Sequence, residues 1–270
     1  MKVLIVFPQR RPPPSAIELR SKFLEYGIDP LLYRFDDFDC YSIERFDLIL
    51  LRGARYDYSS IRLQAIATCL DERLTINPLK SMILARDKYT SIKVLERNGL
   101  PVPATFFVRN KGDLLKRLST LGKGVLKPVS GSLGFGVTPI TEDGIFYLQT
   151  PYPLDSVFQE ELEKARDVRV LATREGVVAA MYRISYDAFA TNYHVSKNAD
   201  PAPKDLYEEI AVKALEALGL YYGGVDLIET PEGVKIIEVN PSPLWNGLSE
   251  VTGVDVAKEL VKYFLKVARG

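Results

Sequence analysis

The order of predicted strands and helices changes at Asn77-Pro78, and this change constrains the fold more than any other feature. Before it, apolar strands such as KVLIVF and FDLILLRG alternate with single predicted helices, a pattern typical of a small open parallel sheet. After it, DVRVLATREGVVAAMYRISY predicts a long hairpin turning at Glu175-Gly176, and YGGVDLIE with VKIIEVN predicts a second hairpin. The sequence therefore predicts a small α/β domain followed by a larger α+β domain.

Two predicted helices carry boundary signals. Ser15 and Glu18 form a capping-box pattern at the start of SAIELRSKFLEY, and we expect this helix to end at Gly27. A second helix is expected from about residue 82 to residue 97, because Asn98-Gly99 is typical of a helix end and prolines follow it.

The composition excludes several classes of protein. The 35 basic and 35 acidic residues cancel, so a general nucleic-acid binder is disfavoured. The apolar run at the N-terminus is about six residues long, too short for a signal-peptide core or a membrane span. Cys40 and Cys69 fit no metal-ligand spacing and suggest no disulfide framework. We therefore expect a cytoplasmic protein that contacts neither nucleic acid nor membrane.

The segment GVLKPVSGSLGFGV places one lysine, Lys127, inside an apolar strand and follows it with a loop of serines and glycines. Backbone N–H groups in such a loop suit an anion such as phosphate, and the lysine supplies a point charge. The pattern is not a P-loop, and no G-x-G-x-x-G follows the first strand, so a dinucleotide site is disfavoured. The alternative is a flexible hairpin turn with a lysine that extends its ammonium to solvent.

The last predicted hairpin carries three polar residues that we expect to lie close together. Glu238 and Asn240 share one face because strand side chains alternate, and Asp226 lies across the hairpin. Two such carboxylates repel unless a cation lies between them or one takes up a proton, and oxygen ligands suit magnesium or manganese. The alternative is that the three residues form the polar face of a half-exposed sheet without a metal. Ile228 and Ile236 are expected to lie on the same face as these polar residues.

A charged connector, SVFQEELEKARDVRV, lies between these two features. A predicted strand ends near Glu160–Leu162, and the chain then reaches Asp167 and Arg169. An exposed connector backbone followed by an acid is suited to an adenine edge and a ribose hydroxyl. The alternative is an ordinary solvated turn.

Taken in order, these segments resemble the ATP-grasp superfamily and, within it, the RimK-like amino-acid ligases. The matching segments span roughly residues 76–256 and are the following: INPLKSMILARDKYTSIKVLERNGLPVPAT, VLKPVSGSLGFGV, FQEELEKARDVRV, AAMYRI, GVDLIE and IIEVNPSPLWNGL. The resemblance implies an α/β domain over residues 1–76 and an α+β ATP-grasp fold over residues 77–270. A lid subdomain around residues 100–160 is implied, with the nucleotide held between two small sheets.

The resemblance also implies an activity. Family members use ATP to activate a carboxylate as an acyl phosphate, which an amine then attacks, releasing ADP and phosphate. A glutamate-like amino acid is the implied donor, and the acceptor is a small coenzyme, a carrier protein or a protein C-terminus. A homo-oligomer is expected. Two alternatives stay open: a dipeptide-type ligase of another ATP-grasp branch, and a non-catalytic ATP-binding regulatory module.

Individual residues receive roles from the same resemblance. The positions implied to hold the nucleotide are Lys88, Lys127, Ser130, Gly131, Ser132, Glu160, Glu161, Leu162, Asp167 and Asn192. The positions implied to bind magnesium or manganese are Asp226, Glu238 and Asn240. The positions implied to stabilise the transferred phosphate or the acyl intermediate are Arg169 and Arg183.

The acceptor side of the site is less defined by sequence. The PSPLWNGL turn and the loop over residues 184–198 are expected to border it. Arg52 and Arg55, after an apolar strand, are candidates to reach a substrate carboxylate, with ordinary surface arginines as the alternative. His194 is either a general base or a surface or structural histidine.

Overall fold

The chain forms three β-sheets in a computed structural model that describes residues 1–41, 43–130, 136–144, 156–184 and 198–270. One sheet is parallel and two are antiparallel. This matches the predicted change from parallel to antiparallel strands at Asn77-Pro78.

The first sheet is parallel, with strand order β2-β1-β3-β4. Its strands are β1 (Val3–Phe7), β2 (Leu31–Arg34), β3 (Leu48–Leu51) and β4 (Thr75–Ile76). Its helices are α1 (Pro14–Leu24) and α2 (Ser60–Asp71). Every residue of β1 is buried, because hydrophobic clusters cover both faces of the sheet.

The capping-box prediction for α1 was wrong. The helix begins at Pro14, a residue favoured in the first turn because it needs no backbone donor there. Ser15 and Glu18 face the protein interior. The Ser15 hydroxyl accepts a hydrogen bond from Arg52 Nη2 at 3.3 Å, and the Glu18 carboxylate accepts one from Trp245 Nε1 at 2.8 Å.

The single helix predicted over residues 82–97 is two helices, α3 (Leu79–Arg86) and α4 (Lys88–Arg97). Asp87 separates them with extended backbone, and its carboxylate accepts a hydrogen bond from the Thr90 N–H at 2.7 Å. This N-cap interrupts a continuous helical pattern. As a result Lys88 starts α4, and its N–H donates to the Val129 carbonyl at 2.9 Å.

The second sheet is antiparallel, with strand order β5-β8-β6-β7. Its elements are β5 (Thr105–Val108), α5 (Lys111–Leu121), β6 (Lys123–Pro128), β7 (Thr138–Thr141) and β8 (Ser156–Glu160). One face packs on α5 through a cluster that includes Leu126 and Phe158. We call this the lid sheet.

The third sheet is antiparallel, with strand order β11-β10-β9-β12-β13. Its strands are β9 (Arg166–Thr173), β10 (Gly176–Ile184), β11 (Asn198–Pro201), β12 (Tyr222–Thr230) and β13 (Gly233–Asn240). The helices that follow its strands are α6 (Glu208–Ala217), α7 (Asn246–Thr252) and α8 (Val256–Arg269). Val168, Val170 and Ala172 point into one core, so alternation leaves Asp167 and Arg169 on the opposite face.

The last helix belongs to the core of the first sheet. Leu260, Val261 and Phe264 of α8 share one hydrophobic cluster with β1 and with Tyr222 of the third sheet. The first and last parts of the chain are therefore packed together. No helix in the described ranges combines the length and apolar character needed to cross a membrane.

The cysteine prediction was also wrong. Cys40 and Cys69 form a disulfide with a Cα–Cα distance of 5.6 Å across 29 residues of sequence. The prediction failed because the pairing depends on the segment after β2 meeting the end of α2. That proximity cannot be read from the spacing of two cysteines.

We expect the double substitution Cys40→Ala with Cys69→Ala to lower the free energy of unfolding by about 3 kcal/mol, because the crosslink restricts the unfolded chain. Urea denaturation of wild type and variant measures the difference. Wild type with reductant serves as the matched control and should coincide with the variant. Equal denaturation midpoints for oxidised wild type and variant would contradict the crosslink.

Candidate active site

Asp226 and Glu238 are direct partners across the β12–β13 hairpin, as predicted. The register shifts immediately after this pair, so that Leu227 pairs with Ile236 and Ile237 is skipped. This bulge turns Ile236 into the opposite, fully buried face. The expectation that Ile236 shares a face with Glu238 was therefore wrong.

Arginines on the same face neutralise the buried Asp226 carboxylate. Arg169 Nη1 donates to both Asp226 oxygens at 2.7 Å, and Arg183 Nη2 lies 3.1 Å from Asp226 Oδ1. Glu238 is paired with the ammonium of Lys88 at 2.9 Å. The repulsion expected between the two carboxylates is thus offset by cations of the protein itself.

These cations control the protonation of Asp226. Burial alone would raise the pKa of Asp226, but the Arg169 and Arg183 guanidiniums outweigh burial and hold that pKa below its usual range. Burial likewise works against the charge of Arg183, yet Asp226 and Asp167 raise the pKa of Arg183. Asp226 and Arg183 are therefore both charged at neutral pH.

Lys127 faces this cluster from β6 of the lid sheet and lacks a carboxylate partner among the described residues. Its ammonium donates to Gln159 Oε1 at 2.5 Å, and Gln159 in turn donates to the Thr105 hydroxyl at 3.0 Å. Burial, aided by the charge of Lys88, lowers the pKa of Lys127 to about 8 against the opposing attraction of Glu238 and Asp226. A nearby anion would favour the charged form of this ammonium, so the anion contact implied for Lys127 stays a prediction.

Asp167 lies on the same face but has its own cations. Arg183 Nε donates to Asp167 Oδ1 at 2.7 Å, and Lys164 Nζ lies 3.3 Å from Oδ2. The Asp167 side chain is 5% exposed. The ribose contact implied for it stays a prediction.

The connector after β8 joins the lid sheet to the third sheet. Glu160 pairs with Lys235 of β13, and Glu161 pairs with Lys123 of β6 at 3.4 Å. Leu162 is partly buried and follows directly. These two ion pairs tie the first residues of the connector to β13 and β6. The contact of the connector with adenine stays a prediction.

The two arginines after β3 differ in burial. Arg52 is 5% exposed, and its Nη2 donates to the Pro243 carbonyl at 2.8 Å, so it is not an ordinary surface arginine. Arg55 is 33% exposed and makes ion pairs with Asp57 at 2.6 Å and Asp36 at 2.8 Å, as expected of the surface arginine that was the alternative.

Four of the residues singled out from the sequence lie outside the described residues, namely Gly131, Ser132, Asn192 and His194. Ser130 is described and exposed, directly after Val129, whose carbonyl binds the start of α4. The loop over residues 184–198, predicted to border the acceptor site, also lies outside them except for its two end residues. The other predicted site residues are described.

Comparison with known proteins decides the family. The model of the RimK-like ATP-grasp domain matches residues 85–264, which is most of the chain. The chain belongs to the RimK-like ATP-grasp family. It is an ATP-dependent ligase that joins a carboxylate to an amine.

Individual relatives agree with this assignment. The chain is 32% identical over 210 residues to the tetrahydromethanopterin:alpha-L-glutamate ligase of Methanocaldococcus jannaschii, covering 72% of this chain and 71% of that protein. It is 32% identical over 206 residues to a probable alpha-L-glutamate ligase of Chromohalobacter salexigens, covering 72% and 67%.

Solved structures share the fold of this RimK-like protein. The ATP-grasp ligase PsnB, complexed with minimal precursor, Mg and ADP, superposes with a TM-score of 0.77 at 17% identity, covering 98% of this chain and 97% of that one. A RimK domain protein from Sphaerobacter thermophilus superposes with a TM-score of 0.72 at 18% identity, covering 97% and 99%.

The donor set of the hairpin fits magnesium. Asp226 and Glu238 are adjacent across the strands, and Asn240 Oδ1, which accepts from the Ser242 N–H at 3.0 Å, keeps a second lone pair. Among the described residues no group of three His, Cys, Asp or Glu side chains suits a metal. Magnesium commonly takes one or two carboxylates and completes its shell with phosphates, so this RimK-like site fits the ion together with a nucleotide.

Two site residues were missed from the sequence. Gln159 is the neutral partner of Lys127, and its position across from Thr105 depends on the order of lid strands. Gly224 is required for close packing, since a Cβ there would lie 2.8 Å from Arg169 Nη2 and 3.0 Å from Pro243 Cβ. The paired glycines of GGVD were the only signal for it.

We expect Lys127→Met to stabilise the free protein more near about pH 7 than near about pH 9.5, by a difference on the order of 2 kcal/mol. The pKa is about 8 when folded and near 10.5 when unfolded. The folded state therefore binds fewer protons in that window, and stability rises with pH there. Denaturation at both pH values measures this effect. Lys123→Met, on the exposed end of the same strand, is the control. Equal pH dependence of both variants would contradict the shifted pKa.

We expect Asp226→Asn to lower the free energy of unfolding by about 3 kcal/mol at neutral pH, because it removes the carboxylate partner of Arg169 and one of the two carboxylates that Arg183 contacts. The carboxylate stabilises the fold above its unfolded pKa, and this contribution is lost as pH falls through the lower folded pKa. The difference from wild type should therefore narrow in acid. Denaturation from neutral to acid pH measures it.

Glu238→Gln is the matched control, because the Glu238 side chain is 38% exposed and its loss should cost no more than about 1 kcal/mol. If Asp226→Asn is as stable as Glu238→Gln at neutral pH, the buried ion network does not support the fold.

Proposed function

We propose that this protein uses magnesium-ATP to join glutamate, through its amine, to the carboxylate of an acceptor. The observation that carries the proposal is the arrangement of charge: Lys127 of the lid sheet faces Asp226 and Glu238, and no carboxylate in the described part of the chain pairs with it. That arrangement accommodates a polyphosphate between the sheets. The names of the relatives, which are glutamate ligases, support glutamate as the amino acid.

The reaction needs no side-chain nucleophile. An acceptor carboxylate oxygen attacks the γ-phosphorus of ATP, the bond to the β-phosphate oxygen breaks, and ADP leaves. The glutamate amine then attacks the acyl carbon, phosphate leaves with the bonding electrons of the C–O bond, and the amine loses a proton. Catalysis of this kind rests on positioning and on neutralising charge.

In this proposal each group of site residues has a separate role. Lys88 and Lys127 hold phosphate oxygens, and Asp226, Glu238 and Asn240 hold magnesium, which would neutralise phosphate charge when bound. Arg169 and Arg183 stabilise the transferred phosphoryl group, a role supported by their convergence on Asp226. Asp167 orients Arg183 through its ion pair, in addition to the ribose contact implied for it.

The remaining nucleotide contacts are part of the same proposal. The connector residues Glu160, Glu161 and Leu162 take the adenine, and the segment from Ser130 to Ser132 closes over the phosphates. Asn192 contributes from the acceptor loop.

The acceptor is proposed only by class. It is a carboxylate on a small coenzyme, a carrier protein or a protein C-terminus. ATP consumption supports a cytoplasmic location. The two cysteines no longer support it, because they form a disulfide. A homo-oligomer stays a prediction.

We expect ADP release only when ATP, magnesium, glutamate and a carboxylate acceptor are all present. The measurement is a coupled ADP assay over amino acids crossed with candidate acceptors. Asn240→Ala should lower turnover by about 100-fold or more, because it removes a ligand of the charge-neutralising ion.

Glu232→Gln, in the exposed turn of the same hairpin, is the control and should match wild type. Rapid ADP release without an amine or an acceptor would contradict a ligase. Full activity of Asn240→Ala would remove Asn240 from the site. A preference for another amino acid would contradict only the assignment of glutamate as the amine substrate.

A further inference from the structure

Arg52 is a buried cation that the proposed reaction does not use. It is 5% exposed, and no carboxylate of the described ranges forms an ion pair with it. Its Nη1 donates to the Tyr222 hydroxyl at 2.6 Å, and its Nη2 donates to the Ser15 hydroxyl and the Pro243 carbonyl. Its Nε is buried without a partner.

Such an arrangement is unfavourable for stability alone. A buried charge without a counter-charge costs free energy, and an apolar side chain of similar size commonly replaces one without loss. What an apolar side chain cannot supply is a planar set of donors that reaches three elements at once. Arg52 therefore joins α1, β12 and the segment over residues 241–245, which we call the post-hairpin turn.

Aromatic contact extends the same linkage. The Arg52 guanidinium lies 4.5 Å from the centre of the Trp245 ring, a cation–π distance. Trp245 is fully buried, and its Nε1 donates to the Glu18 carboxylate at 2.8 Å. The middle of the post-hairpin turn, Pro243, and its last residue, Trp245, are thus held by Arg52 and by Glu18 of α1.

The post-hairpin turn directly follows the β12–β13 hairpin, which carries the proposed magnesium ligands. The Ser242 N–H donates to Asn240 Oδ1 at 3.0 Å, which orients that oxygen. Pro243 packs on Gly224 at the place where the Arg169 guanidinium also packs. A displacement of Pro243 would therefore move the Asn240 amide and open space beside Arg169.

We propose that Arg52 is a positioning residue of the ligase site: it holds the post-hairpin turn, and through the turn it sets Asn240 and Arg169. The inference rests on the proposed assignment of Asn240 to magnesium. The first sheet thereby takes part in the reaction by orienting groups of the other domain, without contact between Arg52 and substrate.

Arg52→Lys is the deciding variant, because it keeps the charge and removes the planar fork. Arg20→Lys is the matched control, since Arg20 lies on α1 in an exposed pair with Asp29. Tyr222→Phe is a second variant, which removes one acceptor of Arg52 and keeps the ring that packs on Phe264. It should show the same changes more weakly.

Nucleotide affinity gives a readout that does not need turnover. ADP binding is measured by calorimetry with magnesium and with EDTA. We expect Arg52→Lys to keep the affinity in EDTA and to lose about tenfold or more of the gain that magnesium adds. With turnover, kcat should fall by about tenfold or more while KM for ATP stays within about twofold.

Fluorescence reports the turn itself, because Trp245 is the only tryptophan in the sequence. Quenching by acrylamide should increase in Arg52→Lys and stay at the wild-type level in Arg20→Lys. Unchanged quenching together with unchanged magnesium-dependent affinity would overturn the inference. So would an equal loss of ADP affinity with and without magnesium, which indicates a purely structural role.

The two proposals fail separately. If wild type shows magnesium-dependent ADP binding that Arg52→Lys loses, but releases no ADP with any glutamate and acceptor pair, the proposed function fails and the positioning role stands. If wild type ligates glutamate and Arg52→Lys does so equally well, the positioning role alone fails. If magnesium adds nothing to ADP affinity in wild type, the assignment of Asn240 and the inference resting on it both fail.

Discussion

The rest of the site depends on the neutralisation of one buried carboxylate, Asp226. Its position on a strand between two other strands removes it from water, which would ordinarily favour its protonated form. Arg169 binds both of its oxygens and Arg183 approaches one of them. These guanidiniums keep the carboxylate ionised in the free protein. In the proposed reaction the same two cations would also stabilise the transferred phosphoryl group.

The two sheets that face each other differ in their charge balance. On the third sheet, Asp226, Asp167 and Glu238 each have cationic partners. On the lid sheet, Lys127 has the amide of Gln159 as its partner within the described ranges, and its depressed pKa reflects that environment. An anion placed between the sheets would relieve the unfavourable burial of Lys127 while meeting arginines on the other side. This asymmetry supports the proposal that a polyphosphate binds between the sheets.

The first sheet contributes to the site through the carboxyl ends of its strands. Arg52 follows β3, and Asn77 follows β4; both contact the β12–β13 hairpin or the segment directly after it. Asn77, fully buried, donates to the carbonyls of Tyr222 and Pro241 and accepts from the Tyr221 N–H. In open parallel sheets this edge is where functional groups collect. The core shared with α8 makes the arrangement rigid, because the chain ends are packed into one cluster.

Much of the architecture was readable from the sequence, because the responsible signals are local. Strand alternation predicted that Glu238 and Asn240 share a face, and the short turn predicted Asp226 opposite Glu238. Apolar residues around one lysine predicted Lys127 on a strand beside a loop. Resemblance of ordered segments to RimK-like ligases then predicted the family, which the comparisons confirmed.

Tertiary structure decided what depends on contacts between distant segments. The bulge that redirects Ile236, the cations around Asp226 and the disulfide between Cys40 and Cys69 join residues that carry no mutual signal in the sequence. Arg52 is the clearest case: next to a strand it reads as a surface arginine, and only the packing of α1, β12 and the post-hairpin turn buries it. Periodicity reports which side of an element a residue occupies. The packing of the elements decides which partner a residue contacts on that side. Those contacts in turn determine the charge and the role of the residue.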